Sequence, residues 1–206
     1  MTTTLGIVCN TAIVLGSDSR ATMGHFIANR EAEKIHKIDD RIGITLAGSV
    51  GDAQRLIRWM QVEAKLYKMR REESITIKAL ANLLAGTLAN SRAYPFSVSL
   101  LVGGADKSGI HLYSLDAIGG LLPETSIVST GSGSPIAYGV LESRYKSGME
   151  IDDGVELAVR ALHTAMSRDS ASGNKIKVVV IKPDGYIEVS DEIITIMQQK
   201  LRWGHV

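Results

Sequence analysis

Three threonines follow the first residue, Thr2-Thr3-Thr4, and they mark a place where this chain could hold an unusual nucleophile. A threonine hydroxyl attacks poorly at neutral pH unless a neighbouring base takes its proton. A threonine that becomes the first residue supplies that base itself, because an α-amine has an ordinary pKa of about 7.7–8.0 and is partly neutral near pH 7. Removal of Met1 would put Thr2 in that position. The same residues also suit a β-branched edge strand, so the chemistry depends on what the rest of the chain brings.

Asp18, Arg20 and Lys34 lie at or just after strand-like segments. A charged lysine beside a reacting amine disfavours protonation of that amine, provided a carboxylate keeps the lysine charged; Asp18 is the natural partner. An ordinary surface ion pair is the plainer alternative. Ala47-Gly48-Ser49 closes an apolar run just before a helix, where a glycine lets the backbone approach a ligand and its N–H could donate to an oxyanion. Gly131-Ser132-Gly133-Ser134-Pro135 opens a helix and superficially resembles a phosphate loop. It lacks both the third glycine of a dinucleotide fingerprint and the Gly-Lys-Ser/Thr of a nucleotide loop, so it reads as a polar turn placing Ser132 at a helix start. Arg168-Asp169-Ser170-Ala171-Ser172-Gly173-Asn174 leaves a helix and enters a strand. Gly and Asn suit a helix end, while Asp169 and Ser172 could orient an amine and a hydroxyl as a triad's third member does.

Other candidates carry less. His25, His36, His111, His163 and His205 show no paired metal spacing, and one cysteine, Cys9, makes a zinc site implausible; no metal and no cofactor are expected. Cys9 has no motif supporting a nucleophilic role. The basic run Lys65 to Arg71 complements the end of a helix and reads as a solvated or subunit-facing surface.

These residues must be positioned by a fold of one domain, since 206 residues lie within the single-domain range. Short apolar runs predict strands over 5–8, 12–16, 42–47, 97–102, 110–114 and 126–129, with a turn-rich 103–109 between two of them. Leu56, Met60, Ala64 and Tyr67 predict a helix from Asp52, and Leu80, Leu83, Leu84 and Leu88 the apolar stripe of a second. Further helices are expected over 135–145, from Asp152-Asp153 with Val155, Val159, Leu162 and Met166 inward, and over 191–199; Pro183-Asp184-Gly185 turns a hairpin between 177–181 and 186–189. Eight to ten strands with paired helices between strand groups imply sheets packed on each other and covered by helices. With 23 Lys and Arg against 22 Asp and Glu, nothing favours nucleic acid or an anionic membrane. No run is long enough to span a bilayer and no basic-then-apolar leader opens the chain, so a cytoplasmic protein is expected.

Taken in order, these blocks resemble the β-type subunits of archaeal-type 20S proteasomes, which are N-terminal-nucleophile hydrolases. The blocks are Thr2-Thr3-Thr4-Leu5-Gly6-Ile7, Gly16-Ser17-Asp18-Ser19-Arg20, Lys34 with Ile38-Asp39-Asp40, Ala47 to Gln54, Gly131-Ser132-Gly133 and Arg168 to Gly173. The resemblance implies an α+β fold, a four-layer αββα sandwich of two mainly antiparallel sheets. It implies that Thr2 attacks a peptide carbonyl, that its α-amine moves the proton through a water, and that Lys34, held by Asp18, tunes both groups. Ser132, Asp169 and Ser172 would support the amine and water, and Gly48 would stabilise the oxyanion.

The same resemblance places Arg20, Ala21, Thr22, Ala32, His36, Leu46, Gly48 and Val50 at the substrate. Thr22, Gly48 and Val50 would pair with its backbone, and an apolar pocket floored by Leu46 would favour cleavage after hydrophobic residues. It also implies assembly with other β-type subunits in a seven-membered ring between rings of α-type subunits, fed with unfolded polypeptide by a regulatory ATPase. Family members usually carry a propeptide ending in glycine before the threonine, whereas here Met1 alone precedes Thr2. With Met1 retained, the chain would be a zymogen or a structural ring subunit. A small-amide hydrolase of the same class is a further alternative, disfavoured by the proteasome-specific blocks.

Overall fold

In the computed structural model, residues 2–203 are described; Met1, on which release of the Thr2 amine turns, lies outside them, as do residues 204–206. The strands are β1 (Thr3–Val8), β2 (Ile13–Asp18), β3 (Ala21–Met23), β4 (Phe26–Asn29), β5 (Ile35–Asp39), β6 (Ile42–Gly48), β7 (Val98–Asp106), β8 (Gly109–Leu115), β9 (Leu121–Glu124), β10 (Ile127–Gly131), β11 (Ile176–Lys182) and β12 (Gly185–Glu188). The helices are α1 (Val50–Arg71), α2 (Ile77–Asn90), α3 (Ser134–Arg144), α4 (Ile151–Arg168) and α5 (Asp191–Trp203). Two five-stranded sheets run β10-β1-β2-β11-β12 and β5-β6-β7-β8-β9, and β3-β4 forms a separate hairpin. Every paired strand is antiparallel.

Side-chain alternation turns these sheets into four layers. Successive residues of a strand face opposite ways, and in β2 both faces are apolar. Ile13 and Leu15 join a cluster between the sheets with Leu101, Leu112, Val179 and Ile181. Val14, between them, faces the other way and packs with Ala158, Leu162 and Leu141 of the helices. On the second sheet Ile42, Ile44 and Leu46 face α1 and α2, meeting Leu56, Met60, Leu80, Leu84 and Leu88. The result is an αββα sandwich with three apolar seams.

The middle seam is tight enough to require missing side chains. A β-carbon at Gly43 would lie 2.7 Å from Ile181 Cδ1 and 3.0 Å from Leu15 Cδ1, closer than packed carbons approach.

Close packing also explains where the sequence pattern misleads. Gly103 and Gly104 read as part of a turn, yet β7 runs through both to Asp106 and only Lys107 and Ser108 turn. Both glycines are required by close packing: a β-carbon at Gly103 would meet Ile13 of the facing sheet at 2.8 Å, and one at Gly104 would collide with the Arg41 carbonyl. Among the described residues there are twelve strands rather than eight to ten. The hairpin β3-β4, β5 and β9 are short and partly polar, so no clean period announces them. Helix α1 begins at Val50, capped by Ser49, whose side chain accepts from the Asp52 N–H, and α5 continues beyond the expected 191–199. Leu83, placed in the apolar stripe of α2, is 37 % exposed, while its neighbour Leu84 is fully buried.

That contrast is testable by urea denaturation of the purified chain. Leu84→Ala is expected to cost about 2–5 kcal/mol, and Leu83→Ala no more than about 0.5 kcal/mol. Equal losses would mean that the stripe is turned differently.

Candidate active site

The sheet registers gather distant residues at one end of the sandwich. Thr3 lies opposite Gly131 and Thr4 opposite Ser17, while Asp18 lies opposite Ile176. The start of β1, the ends of β2 and β10 and the entry to β11 therefore meet at one edge. The second sheet reaches the same edge through Gly48, which ends β6, and Lys34, the residue before β5. The segment between β4 and β5 ties the two sheets together: Ala32 N–H donates to the Ser19 carbonyl and Leu46 N–H to the Lys34 carbonyl.

Lys34 and Asp18 form a buried ion pair. Lys34 Nζ donates to Asp18 Oδ1 at 2.7 Å and to the Arg20 carbonyl at 2.6 Å, with the side chains 4 % and 0 % exposed. The remaining lone pairs of Asp18 are well used. Oδ1 also accepts from Thr3 N–H at 2.9 Å, and Oδ2 accepts from the N–H groups of Arg20 and Gly173 at 3.0 and 2.9 Å. Burial pushes the Lys34 ammonium below its ordinary value, partly offset by the charge of Asp18. Lys34 thus brings a positive charge to the cleft it shares with Thr2, of the kind that lowers a neighbouring amine's affinity for protons.

A second carboxylate collects hydroxyls. Thr2 N–H donates to Ser132 Oγ at 3.3 Å, and Ser132 Oγ donates to Asp169 Oδ2 at 2.7 Å. Ser172 Oγ donates to the same oxygen at 2.6 Å and lies 2.6 Å from Thr3 Oγ1. Burial pushes the Asp169 carboxyl up, but the hydrogen bonds from Ser132, Ser172 and Ala171 N–H outweigh it and hold it below the ordinary carboxylate value. Asp169 is placed by ending α4, and Ser132 by the turn between β10 and α3. Ser132, Asp169 and Ser172, expected from sequence, converge. Thr3 joins them unannounced, its only sequence signal being its place beside Thr2.

A cleft of about 250 Å³ opens beside these groups. Thr2, Lys34 and Gly48 line it together with Ala21, Thr22, Ala32, His36, Leu46 and Val50. Asn29, Glu31, Glu33 and Gln54 line it too and were not anticipated. Gly48 has φ +121° and a β-carbon there would stand 2.1 Å from the Ser97 carbonyl oxygen, so only glycine fits this backbone turn. Burial pushes the His36 imidazole toward its neutral form, against the nearby Glu33 carboxylate. Arg20 stands apart: its guanidinium donates to the Ser170 carbonyl and to Asn174 Oδ1, clamping the loop after α4, and does not line the cleft. A second cleft of about 270 Å³ lies against β11 and β12 and shares residues 31–34, but holds neither Thr2 nor Gly48. Among the described residues no group of His, Cys, Asp and Glu could hold a metal ion, and no helix is long and apolar enough to cross a membrane.

The arrangement can therefore present one hydroxyl nucleophile, a fixed cation, a hydrogen bond from the nitrogen of that same residue to Ser132 Oγ, and a backbone glycine on the cleft. Comparison with known proteins gives it a setting. A family described as "Proteasome subunit" matches residues 1–181. The chain is 62 % identical over 185 residues to a protein of Methanohalophilus mahii named proteasome subunit beta, covering 90 % of this chain and 88 % of that one. Proteins of the same name from Methanothrix thermoacetophila and Methanococcoides burtonii are 61 % and 58 % identical, covering 91 % and 94 % of this chain and 91 % and 92 % of theirs.

The Asp169 environment sets a pH dependence. Its carboxyl is held low in the folded chain, so its contribution to stability is present above the ordinary value near 3.8 and is lost as pH falls through the lower folded value. Asp169→Asn is expected to flatten the fall of thermal midpoint with pH in that acid range; a curve parallel to wild type would show that the hydroxyl cluster does not hold the charge.

Proposed function

The chain belongs to the proteasome subunit family, and on that premise we propose that it is a threonine endopeptidase of the proteasome core particle. Its similarity to proteins named proteasome subunit beta supports a peptidase that assembles with other subunits. The observation that carries the finer reading is that Thr2, Gly48 and Lys34, the last paired with buried Asp18, line one cleft.

Removal of Met1 converts the Thr2 nitrogen from an amide to an amine. That amine, kept neutral by the adjacent Lys34 charge, takes the Thr2 Oγ proton through a water while Oγ attacks the peptide carbonyl. The carbonyl oxygen becomes an oxyanion, to which Gly48 N–H donates; such a donor is worth about 2.7–4 kcal/mol. Collapse of the tetrahedral adduct expels the leaving amine, which takes the proton from the Thr2 ammonium, and an ester to Oγ remains. Water then attacks the ester with the amine again as base, releasing the acid and restoring Oγ–H. Ser132, Asp169 and Ser172 hold the amine so that its lone pair faces the hydroxyl.

The substrate is an extended, unfolded polypeptide pairing with Thr22, Gly48 and Val50. Leu46, Ala21, Ala32 and Val50 favour an apolar residue on the acyl side of the cut, with His36 the polar exception in that wall. Arg20 supports the site by holding the 170–174 loop rather than by touching substrate. The partners in this reading are further β-type subunits in a ring of seven, α-type rings and a regulatory ATPase in the cytoplasm. Retention of Met1 would leave the same fold as an unprocessed ring member.

Intact mass of the purified particle decides whether Thr2 is the first residue. With Met1 gone, Thr2→Ala is expected to lower hydrolysis of a fluorogenic peptide with an apolar acyl-side residue by about 10⁴-fold or more, with ring assembly retained. Thr2→Ser, which keeps both amine and hydroxyl, should stay active. Unchanged turnover in Thr2→Ala would remove the nucleophile assignment.

A further inference from the structure

Resting on the threonine-nucleophile reading, we propose that Thr3 is a positioning residue, whose hydroxyl ends a one-way chain of hydrogen bonds fixing Asp169 and, through it, the Thr2 amine. The direction of the chain follows from counting protons. A serine hydroxyl has one proton to donate, and an ionised carboxylate only accepts. Ser172 gives its proton to Asp169 Oδ2 at 2.6 Å. At its 2.6 Å contact with Thr3 Oγ1, Ser172 must therefore accept and Thr3 donate. Ser132 likewise gives its proton to Asp169 Oδ2 at 2.7 Å, a shorter contact than its 3.4 Å alternative to the Thr2 carbonyl, and accepts from Thr2 N–H. Both arms end on one oxygen: Thr3 to Ser172 to Asp169, and Thr2 to Ser132 to Asp169.

Thr3 also joins this cluster to the ion pair. Its N–H donates to Asp18 Oδ1, the oxygen that holds Lys34. It is fully buried and directly follows Thr2 in the chain. Its side chain thus fixes the proton of Ser172, while its backbone holds the peptide link that carries Thr2. Loss of the hydroxyl leaves Ser172 Oγ without its donor and free to turn from Asp169. The carboxylate then bears its charge with one donor fewer and draws the Thr2 amine toward protonation.

The test uses the assembled, processed particle and compares Thr3→Val, which keeps the branched shape and the backbone N–H, with Thr3→Ser, which restores the donor. Thr3→Val is expected to lower kcat about tenfold, the effect of one hydrogen bond to a charged network, with KM changed less than about twofold. The acid limb of the kcat/KM profile should move to higher pH, and Thr3→Ser should return both values toward wild type. In a Ser172→Ala background, Thr3→Val should add less than about twofold, because both changes cut the same arm. A wild-type kcat and acid limb in Thr3→Val would overturn the proposal, as would Thr3→Ser behaving no better than Thr3→Val. Should Thr3→Val not assemble, Thr3→Cys, a weaker donor of similar size, takes its place with intermediate values expected and wild-type values again overturning. Labelling of the wild-type particle by a peptide electrophile separates the two readings. No adduct on Thr2 removes the nucleophile, whereas an adduct on Thr2 with unaltered Thr3 variants removes only the role of Thr3.

Discussion

The Lys34–Asp18 pair is the constraint on which the rest of this molecule depends. Two charges taken out of water lose hydration worth several kcal/mol each, and their attraction repays this only when every lone pair and proton finds a partner. The chain meets that demand from several separate segments. Thr3 comes from the start of β1, Arg20 from the residues after β2, Gly173 from the loop after α4, and Lys34 from the entry to β5. None of these segments can shift without leaving a buried charge partly unpaired. The ion pair is therefore as much a register lock on the site end of the sandwich as it is a local source of charge.

The layers beneath make such a lock possible. β2 is apolar on both faces, with Ile13 and Leu15 against the other sheet and Val14 against α4, so the strand has one register in which its residues are all buried. That register brings Asp18 to the sheet end opposite Ile176, one residue beyond the Ser17 that faces Thr4. A slip by one residue would turn Asp18 away from Lys34 and bring Leu15 to the place of Gly16, where even a β-carbon would lie 3.0 Å from Leu162 and Leu5. Apolar packing thus carries the precision, and the polar cluster exploits it.

Two carboxylates divide the work because their surroundings differ. Asp18 is saturated by backbone N–H groups and a cation and serves as a fixed anchor. Asp169 sits at a helix end and is held by hydroxyls that can reorient. A rigid charge beside an adjustable hydrogen-bond cluster suits the proposed role of Thr2, in which its nitrogen gives and takes a proton while its hydroxyl is held in place.

Much of the site was legible along the chain. Thr2, Asp18, Lys34, Gly48, Ser132, Asp169 and Ser172 stand in short polar stretches at the ends of apolar runs, and a polar residue at a strand end has few reasons to be there beyond turning or chemistry. The helices were legible too, because stripes such as Leu56, Met60 and Ala64 repeat at their own period. Gly103 and Gly104 misled because a glycine required by close packing has the same local signature as one required by a turn. Leu83 misled because period alone fixes a stripe to within one residue, and only the facing sheet decides which leucine is inside. Thr3 was invisible as a member of the site, since its importance lies in contacts with Asp18 and Ser172, 15 and 169 positions away. The side-chain period and the types of residue at element ends are local properties and are written in the sequence. Which atoms meet across sheets is set by long-range packing and register, and those exist only once the sandwich has closed.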